Sequence, residues 1–499
     1  MKQILQLTFL LNIFLVAQEN NIKAPNAEIE EVIIKGNILY ADQVNALKTP
    51  VPVLDVPQSV SIVTDEDIRK QGFRELSDIV RYIPGVNTSQ GEGHRDAVVF
   101  RGVRSTADFY MDGVRDDVQY YRSLYNLEQV EVLRGPNALL FGRGGTGGII
   151  NRVTKKAVIG EEFGSVDVGT DTFGSLDLAY DYNVSSSDDS AFRINIHTDS
   201  LANHRDFYNG ERKGVNPTMK FIMSDDTTLD LSYEHIDHER FIDRGVPTIN
   251  GSPDESLTDI VFGTPETNTT TVEATILRGT LSHVISETRK GNLTVHKSSF
   301  EKMYQNLYAS GYDGTFVSMD GYRDPTERDK LIISGNLINE INVGSVKHTI
   351  LLGAELIDTE SNNLRYDTFW LTTSDDNEVF DISRPMDFTI NANGNATSVD
   401  FTTSLKSKTS SDIKVTSLYI QDQVDLTDNI KLMVGGRHDS FDITVADIKN
   451  MSSESRKDTE FSPRAGLVVK PSDEISLYWS FSQSFLPRSG EQYKALSAT

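Results

Sequence analysis

Beyond residue 160 the chain consists of short stretches of strict alternation. Leu176, Leu178, Tyr180 and Tyr182 share one face of an extended run, with Asp177 and Asp181 on the other. Phe192, Ile194 and Ile196 alternate with Arg193, Asn195 and His197, and Leu229, Leu231 and Tyr233 with Asp230, Ser232 and Glu234. The same rhythm returns in Ile350, Leu352, Ala354 and Leu356, and in Ile475, Leu477, Trp479 and Phe481. A period of two marks strands with one apolar and one polar face. Roughly thirteen such strands fit between 160 and 499. Tight polar turns such as Ser224-Asp225-Asp226-Thr227 and Leu426-Thr427-Asp428-Asn429 alternate with long loops near 240–270, 301–328 and 358–412. Short turns at one end, long loops at the other and a dyad pattern predict an antiparallel transmembrane β-barrel. Closure is required, because an open sheet edge is not satisfied in lipid.

Residues 50–156 follow other rules. Thr64-Asp65-Glu66-Asp67 caps a helix that ends at Gly72. Leu76, Ile79, Val80 and Ile83 mark a second short helix, stopped by Pro84-Gly85. Val98-Val99-Phe100 and Phe109-Tyr110-Met111 read as strands joined through a hairpin-like Asp112-Gly113 turn, and Val130 with Val132 as another. This is an α+β domain of ~100 residues. Placed ahead of a barrel it is expected to be a plug, since barrels of about 22 strands otherwise leave an open lumen.

The first residues add an export signal. One lysine precedes an apolar run from Ile4 to Ala17, too short for the ~20 residues of a membrane span and suited to a signal peptide over 1–17. Residues 18–49 then form an N-terminal tail. The absence of cysteine excludes disulfides and thiolate chemistry. A net charge of −25 argues against a nucleic-acid partner.

Three chemical readings fail on context. Gly142, Gly144 and Gly147 spell G-x-G-x-x-G, but a nucleotide loop must open a helix, and Gly148-Ile149-Ile150-Asn151-Arg152-Val153-Thr154 reads as a strand. The glycines are expected instead to let the backbone turn tightly and pass close to the barrel wall. His235 and His238 are three apart, so on a strand they point to opposite faces and do not chelate. An enzyme reading finds no nucleophile elbow and no metal-spaced histidine cluster.

The plug region resembles the TonB-dependent siderophore receptors. The resemblance is carried by Asp55-Val56-Pro57-Gln58-Ser59-Val60-Ser61-Ile62-Val63-Thr64, Pro84-Gly85-Val86, Phe100-Arg101-Gly102 and Met111-Asp112-Gly113-Val114-Arg115-Asp116. It continues through Leu127-Glu128-Gln129-Val130-Glu131-Val132-Leu133-Arg134-Gly135-Pro136 and Leu140-Phe141-Gly142-Arg143-Gly144 to Lys155. Leu418-Tyr419-Ile420-Gln421-Asp422 and Ser462-Pro463-Arg464-Ala465-Gly466-Leu467 extend it into the barrel at 160–499. The family's barrel has about 22 strands, so the resemblance implies a C-terminally truncated chain lacking about nine.

What the resemblance implies is an outer-membrane receptor and active transporter, not an enzyme. Its cargo is a ferric siderophore, and the iron arrives already wrapped, so no resident cofactor or metal is expected. Glu30-Glu31-Val32-Ile33-Ile34-Lys35-Gly36 resembles the TonB box, a β-prone segment that can add to a partner's sheet edge. The implied partners are TonB with ExbB and ExbD, together with the outer membrane and its lipopolysaccharide. An extra N-terminal signalling domain does not fit between residue 17 and the box.

Siderophore contacts are expected from plug apices, at Arg95, Arg104, Tyr120, Tyr121 and Arg122, since arginine and tyrosine suit an anionic, oxygen-rich cargo of the catecholate type. Arg101 and Arg134, with Glu131 as a third member, are expected to lock the plug to acidic residues of the wall. Rival readings are the same architecture carrying haem, cobalamin or a glycan, a passive porin or adhesin, and a non-functional truncated receptor.

Overall fold

The computed structural model describes residues 45–49, 52–487 and 492–496; the expected signal peptide and TonB box lie outside the described residues. The first domain opens with β1 (Ser59–Thr64) and α1 (Asp65–Gln71). Thr64 and Asp67 form the expected reciprocal capping box, and Gly72 closes the helix with φ 65°. There follow α2 (Leu76–Val80), β2 (Val86–Ser89), β3 (Ala97–Phe100), β4 (Val103–Ser105), β5 (Phe109–Met111) and β6 (Val114–Arg115). The domain closes with β7 (Leu127–Arg134), α3 (Ala138–Phe141) and β8 (Gly148–Thr154).

Its main sheet runs β1-β7-β8-β5-β6, and β2-β3-β4 form a second. Asp112-Gly113 does make a hairpin, with φ 48° and 78°, but it joins β5 to β6; β3 belongs to the other sheet. Ile68, Leu76, Ile79, Phe100, Phe109, Leu127 and Val130 form the core between these elements. Upstream of position 50, Ala46 and Leu47 are fully buried in a cluster with Leu133, Leu139 and Ile149.

The glycine turn leads from a short helix into a strand. A Cβ on Gly148 would lie 2.5 Å from the Leu133 carbonyl oxygen, and one on Gly142 would meet the Arg437 guanidinium of the wall at 3.0 Å. Both positions have left-handed φ, so glycine satisfies conformation and space together.

The remaining strands are β9 (Phe163–Thr170), β10 (Leu176–Ser187), β11 (Ser190–Ala202), β12 (Asn209–Ser224), β13 (Thr227–Phe241), a small loop hairpin of β14 (Thr248–Ile249) and β15 (Ser252–Pro253), and β16 (Thr269–Ser286). After them come β17 (Arg289–Tyr312), β18 (Phe316–Arg323), β19 (Thr326–Val343), β20 (Val346–Trp370), β21 (Glu378–Asp381), β22 (Val399–Thr427), β23 (Ile430–Asp447), β24 (Ser452–Ser472) and β25 (Ile475–Ser482). Fifteen of them form one antiparallel sheet. Short β18 and β21 add to it only at the loop end, leaving thirteen strands that make up the wall itself. Its outermost members among the described residues are β9 and β25, which do not pair with each other.

Two expected loops are partly strand. β17, β20 and β22 run for 24, 25 and 29 residues, well beyond the ~9–11 needed to cross a bilayer. At their loop ends Trp370 and Phe401 pack with Phe380 and Phe388, from β21 and the loop after it, and with Leu257 and Phe262 of the loop after β13.

The sheet is inverted relative to a water-soluble one. On β10, Leu178 and Tyr180 are exposed while Asp181 and Asn183 are buried; on β20, Leu352 and Leu356 are exposed while Glu355 is buried. Leu477 and Trp479 are more than 60 % exposed. The polar face looks inward onto the first domain.

Candidate functional site

The polar inner wall and the plug meet through ion pairs. Asp117, just after β6, is fully buried and receives Lys330 of β19 at 2.6 Å, Arg328 at 3.3 Å and Arg143 of its own domain at 2.8 Å. Burial alone would raise its carboxyl, but the three cations hold it well below the usual carboxylate range. Asp112 pairs with Arg278 of β16. Glu75 pairs with Arg240 of β13 at 3.0 Å, and Lys155 with Asp181 of β10 at 3.1 Å. Near the turn end Asp55 is gripped by Lys431 at 3.1 Å and Lys470 at 3.0 Å.

The expected locks act elsewhere. Arg134 donates to Ser59 Oγ and to the Pro84 carbonyl, which ties β7 to β1 and to the loop after α2. Arg101 is exposed in a left-handed turn with φ 47°. Among the described residues neither has a carboxylate partner on the wall. Glu131 is fully buried and accepts from the backbone N–H groups of Asn45 at 2.6 Å and Ala46 at 2.9 Å, and from Gln129 and Asn151. It therefore anchors the incoming chain and does not reach the wall.

At the loop end the segment between β2 and β3 rises as an apex, residues 90–96, into a vestibule. His94 packs against Tyr304 of β17 with ring centroids 3.8 Å apart and the rings tilted by 32°. Tyr304 lies 5.3 Å from Tyr322 of β18, which in turn lies 6.5 Å from Tyr308. Two guanidinium groups cover these rings: Arg244 sits 4.6 Å from the Tyr308 centroid and Arg365 3.7 Å from that of Tyr322. Beside this cluster a cavity of about 290 Å³ is lined by Gln90, Tyr121, Tyr208, Arg240 and Asp243, among others. Burial holds the His94 imidazole well below its ordinary value, so it is neutral; Lys302 behind it adds to the effect.

The five expected cargo contacts separate. Arg95 reaches Gln119 and Glu92, both at 2.8 Å, beside the vestibule. The Tyr121 ring is covered by Arg240 at 4.2 Å and its hydroxyl donates to the Gln90 carbonyl. Tyr120 and Arg122 turn inward instead. Tyr120 is 2 % exposed and its hydroxyl donates to Asp116; Arg122 is fully buried, bonded to Asp96, Asp116 and the carbonyls of Tyr120, Asp116 and Val118. Together they brace the apex from below, where Asp96, buried beside Arg122, has its carboxyl pushed up to about 6. Arg104 on β4 is exposed and opposite Val99, away from the apex.

Sequence reasoning missed Tyr304, Tyr308, Tyr322, Arg244 and Arg365. A signal was present: Tyr304 and Tyr308 share parity with Ser298, Phe300 and Lys302, the buried inward face of β17. Aromatic residues on the inward, otherwise largely polar face do not belong to a lipid girdle.

His235 and His238 lie on β13 and face opposite sides, as expected. Asp177, His197 and Asp199 bring potential ligand atoms within 4.8 Å of one another. Both oxygens of Asp199 are engaged by Arg212, so that charge is already matched.

Comparison with known proteins agrees with this architecture. A family model described as the TonB-dependent receptor plug domain matches residues 52–149, and one described as the TonB dependent receptor-like β-barrel matches 163–498. The probable TonB-dependent siderophore receptor PiuA of Acinetobacter baumannii is 26% identical over 485 residues, covering 90% of this chain and 64% of that protein. The catecholate siderophore receptor Fiu of Escherichia coli K12 is 32% identical over 224 residues, 42% of this chain and 29% of that one. The chain thus spans less than two thirds of the length of these relatives. In fold, the closed-form crystal structure of the Fiu ferric-catecholate import receptor superposes with a TM-score of 0.78 at 19% identity, over 92% of this chain and 70% of that one.

Proposed function

The chain belongs to the TonB-dependent receptor family, and on that premise we propose that it serves as a receptor and active transporter for ferric siderophores in the outer membrane of a Gram-negative bacterium. The family is one of receptors and transporters. The observation that carries the reading is the vestibule: a plug apex facing a cluster of tyrosines packed edge-to-face under two arginines, with the lumen below it filled by ion-paired plug.

In this reading the ferric complex enters between the loops and settles against the half-buried Tyr308 and Tyr121, with Tyr304 and Tyr322 packed behind them as the buried floor. Flat aromatic faces take the chelating rings, while Arg95, Arg244 and Arg365 take anionic oxygens by charge-assisted hydrogen bonds. This composition favours a catecholate over a neutral hydroxamate. Iron is cargo, held by its chelator, and no covalent bond is made or broken. Residues 30–36 act as the TonB box, adding a strand to TonB, which draws on ExbB and ExbD. Lipopolysaccharide surrounds the loop end. Arg101 and Arg134 keep a structural role within the plug.

The test is uptake of radioactive iron by iron-starved cells carrying this gene as their only such receptor. Uptake of a ferric catecholate that disappears without TonB, and on deletion of Glu30 to Gly36, supports the proposal. Uptake independent of both would point to a passive pore.

A further inference from the structure

One carboxylate of the plug lies where the vestibule is built to hold an anion. Glu92, between Gly91 and Gly93, has a left-handed φ of 61°, a conformation that glutamate rarely adopts without compensation. The compensation comes from its contacts. Its carboxylate accepts from Arg95 at 2.8 Å and from the Tyr322 hydroxyl at 3.2 Å, and lies 3.7 Å from His94 Nε2. Its backbone carbonyl accepts from the Tyr304 hydroxyl at 3.0 Å, while that hydroxyl receives Arg244 at 3.1 Å. The side chain is still 32% exposed, on the vestibule side. His94 in contact with it, and the charges of Arg95 and Arg244 beside it, outweigh the cost of burial and hold the carboxyl well below its usual range.

We propose that Glu92 is an internal placeholder for an anionic oxygen of the cargo. In the cargo-free protein it occupies the donors of Arg95 and Tyr322. A polyanionic chelate arriving on the tyrosines takes over those donors and repels the carboxylate. Glu92 leaves, the apex loses the contacts that hold its left-handed backbone, and residues 90–96 move. Binding at the surface is thereby converted into motion of the plug without contact between cargo and the plug's interior. The inference rests on the proposed cargo class, since a neutral ligand has no reason to displace Glu92.

The test uses the protein purified from membranes in detergent, with a ferric tris-catecholate and a neutral ferric tris-hydroxamate as probes. Glu92→Gln removes the competing charge and keeps the shape. It is expected to tighten the catecholate roughly tenfold, the effect of one relieved like-charge contact, and to leave the hydroxamate unchanged. Amide exchange over 90–96 in the cargo-free protein is expected to rise in the variant. Glu92→Ala repeats the measurement should the glutamine variant not assemble, and Glu92→Asp, which keeps the charge, is expected not to tighten binding. Wild-type protein that binds the catecholate while neither neutral variant binds it more tightly overturns the placeholder alone. Wild-type protein that binds neither probe overturns the cargo class and the placeholder with it.

Discussion

The carboxylate of Asp117 in the plug lies 2.6 Å from the ammonium of Lys330 on the barrel wall, with Arg328 and Arg143 completing its surroundings. All four groups are buried. Asp117→Asn leaves three cations without their counter-charge. Breaking a buried pair from one side costs about 3–5 kcal/mol, so the plug is expected to unfold well below the wild-type temperature. Differential scanning calorimetry in detergent reads this directly. Wild-type melting in the variant would mean that water already carries the charge.

Arg244 and Arg365 lie over tyrosine rings of the vestibule. Replacing either with alanine removes a stacked cation with a value of ~0.5–2 kcal/mol. Catecholate affinity is expected to fall about tenfold while the circular dichroism spectrum is retained. Tyr121→Ala is expected to behave alike. Tyr120→Ala, in contrast, should lower the melting temperature, because its hydroxyl and ring are part of the brace around Arg122.

His94 gives the apex a pH dependence of definite sign. Its imidazole is kept neutral in the folded protein, below the ~6.5 of the free side chain. A depressed value means that its share of stability is present above pH ~6.5 and is lost as pH falls below it. Asp96, raised to about 6 by burial, works in the opposite direction over part of the same window. Glu92, Arg95 and Lys302 also face the ring. The informative comparison is therefore with His94→Gln. Protection factors over 90–96, taken relative to the intrinsic exchange rate at each pH, should fall between pH 7.5 and 5.5 in the wild type, and the variant should show a smaller fall.

Leu352 is 43 % exposed on β20, beside the buried Leu351 of the opposite parity. Leu352→Arg would be innocuous if water lay outside the sheet. In lipid an arginine on this face costs about 2–4 kcal/mol near the midplane, so assembly into membranes is expected to drop sharply. Folding yield into vesicles of defined thickness measures it.

Much of the fold was legible because it is written locally. The Thr64–Asp67 box, Gly72 and the parity of Leu176 to Tyr182 are all set within a few residues. The turn at Asp112-Gly113 was legible as a turn, but its partner strand was not, since β6 is only two residues long. Loop lengths near 301–328 and 358–412 were overread, because strands continuing beyond the apolar band carry no lipid-facing alternation there. The site was harder. Tyr120 and Arg122 carry suitable chemistry, but their burial depends on Asp96 and Asp116; Asp96 is 26 residues upstream of Arg122. Tyr304 and Tyr322 become neighbours only once β17 and β18 pair.

The position of β1 has a mechanical consequence. It is the outermost strand of the plug sheet and pairs only with β7, through six residues from Ser59 to Thr64. The chain that feeds it is tethered at Glu131 and at Asp55. Tension entering from the N-terminus therefore meets those ionic and backbone fastenings, with hydrogen bonds at Lys48, Leu54 and Gln58 along the same stretch, in series and then a single seam. Stripping that seam would detach β1 and leave β7, β8, β5 and β6 joined, so the plug is divided into a removable ribbon and a retained block.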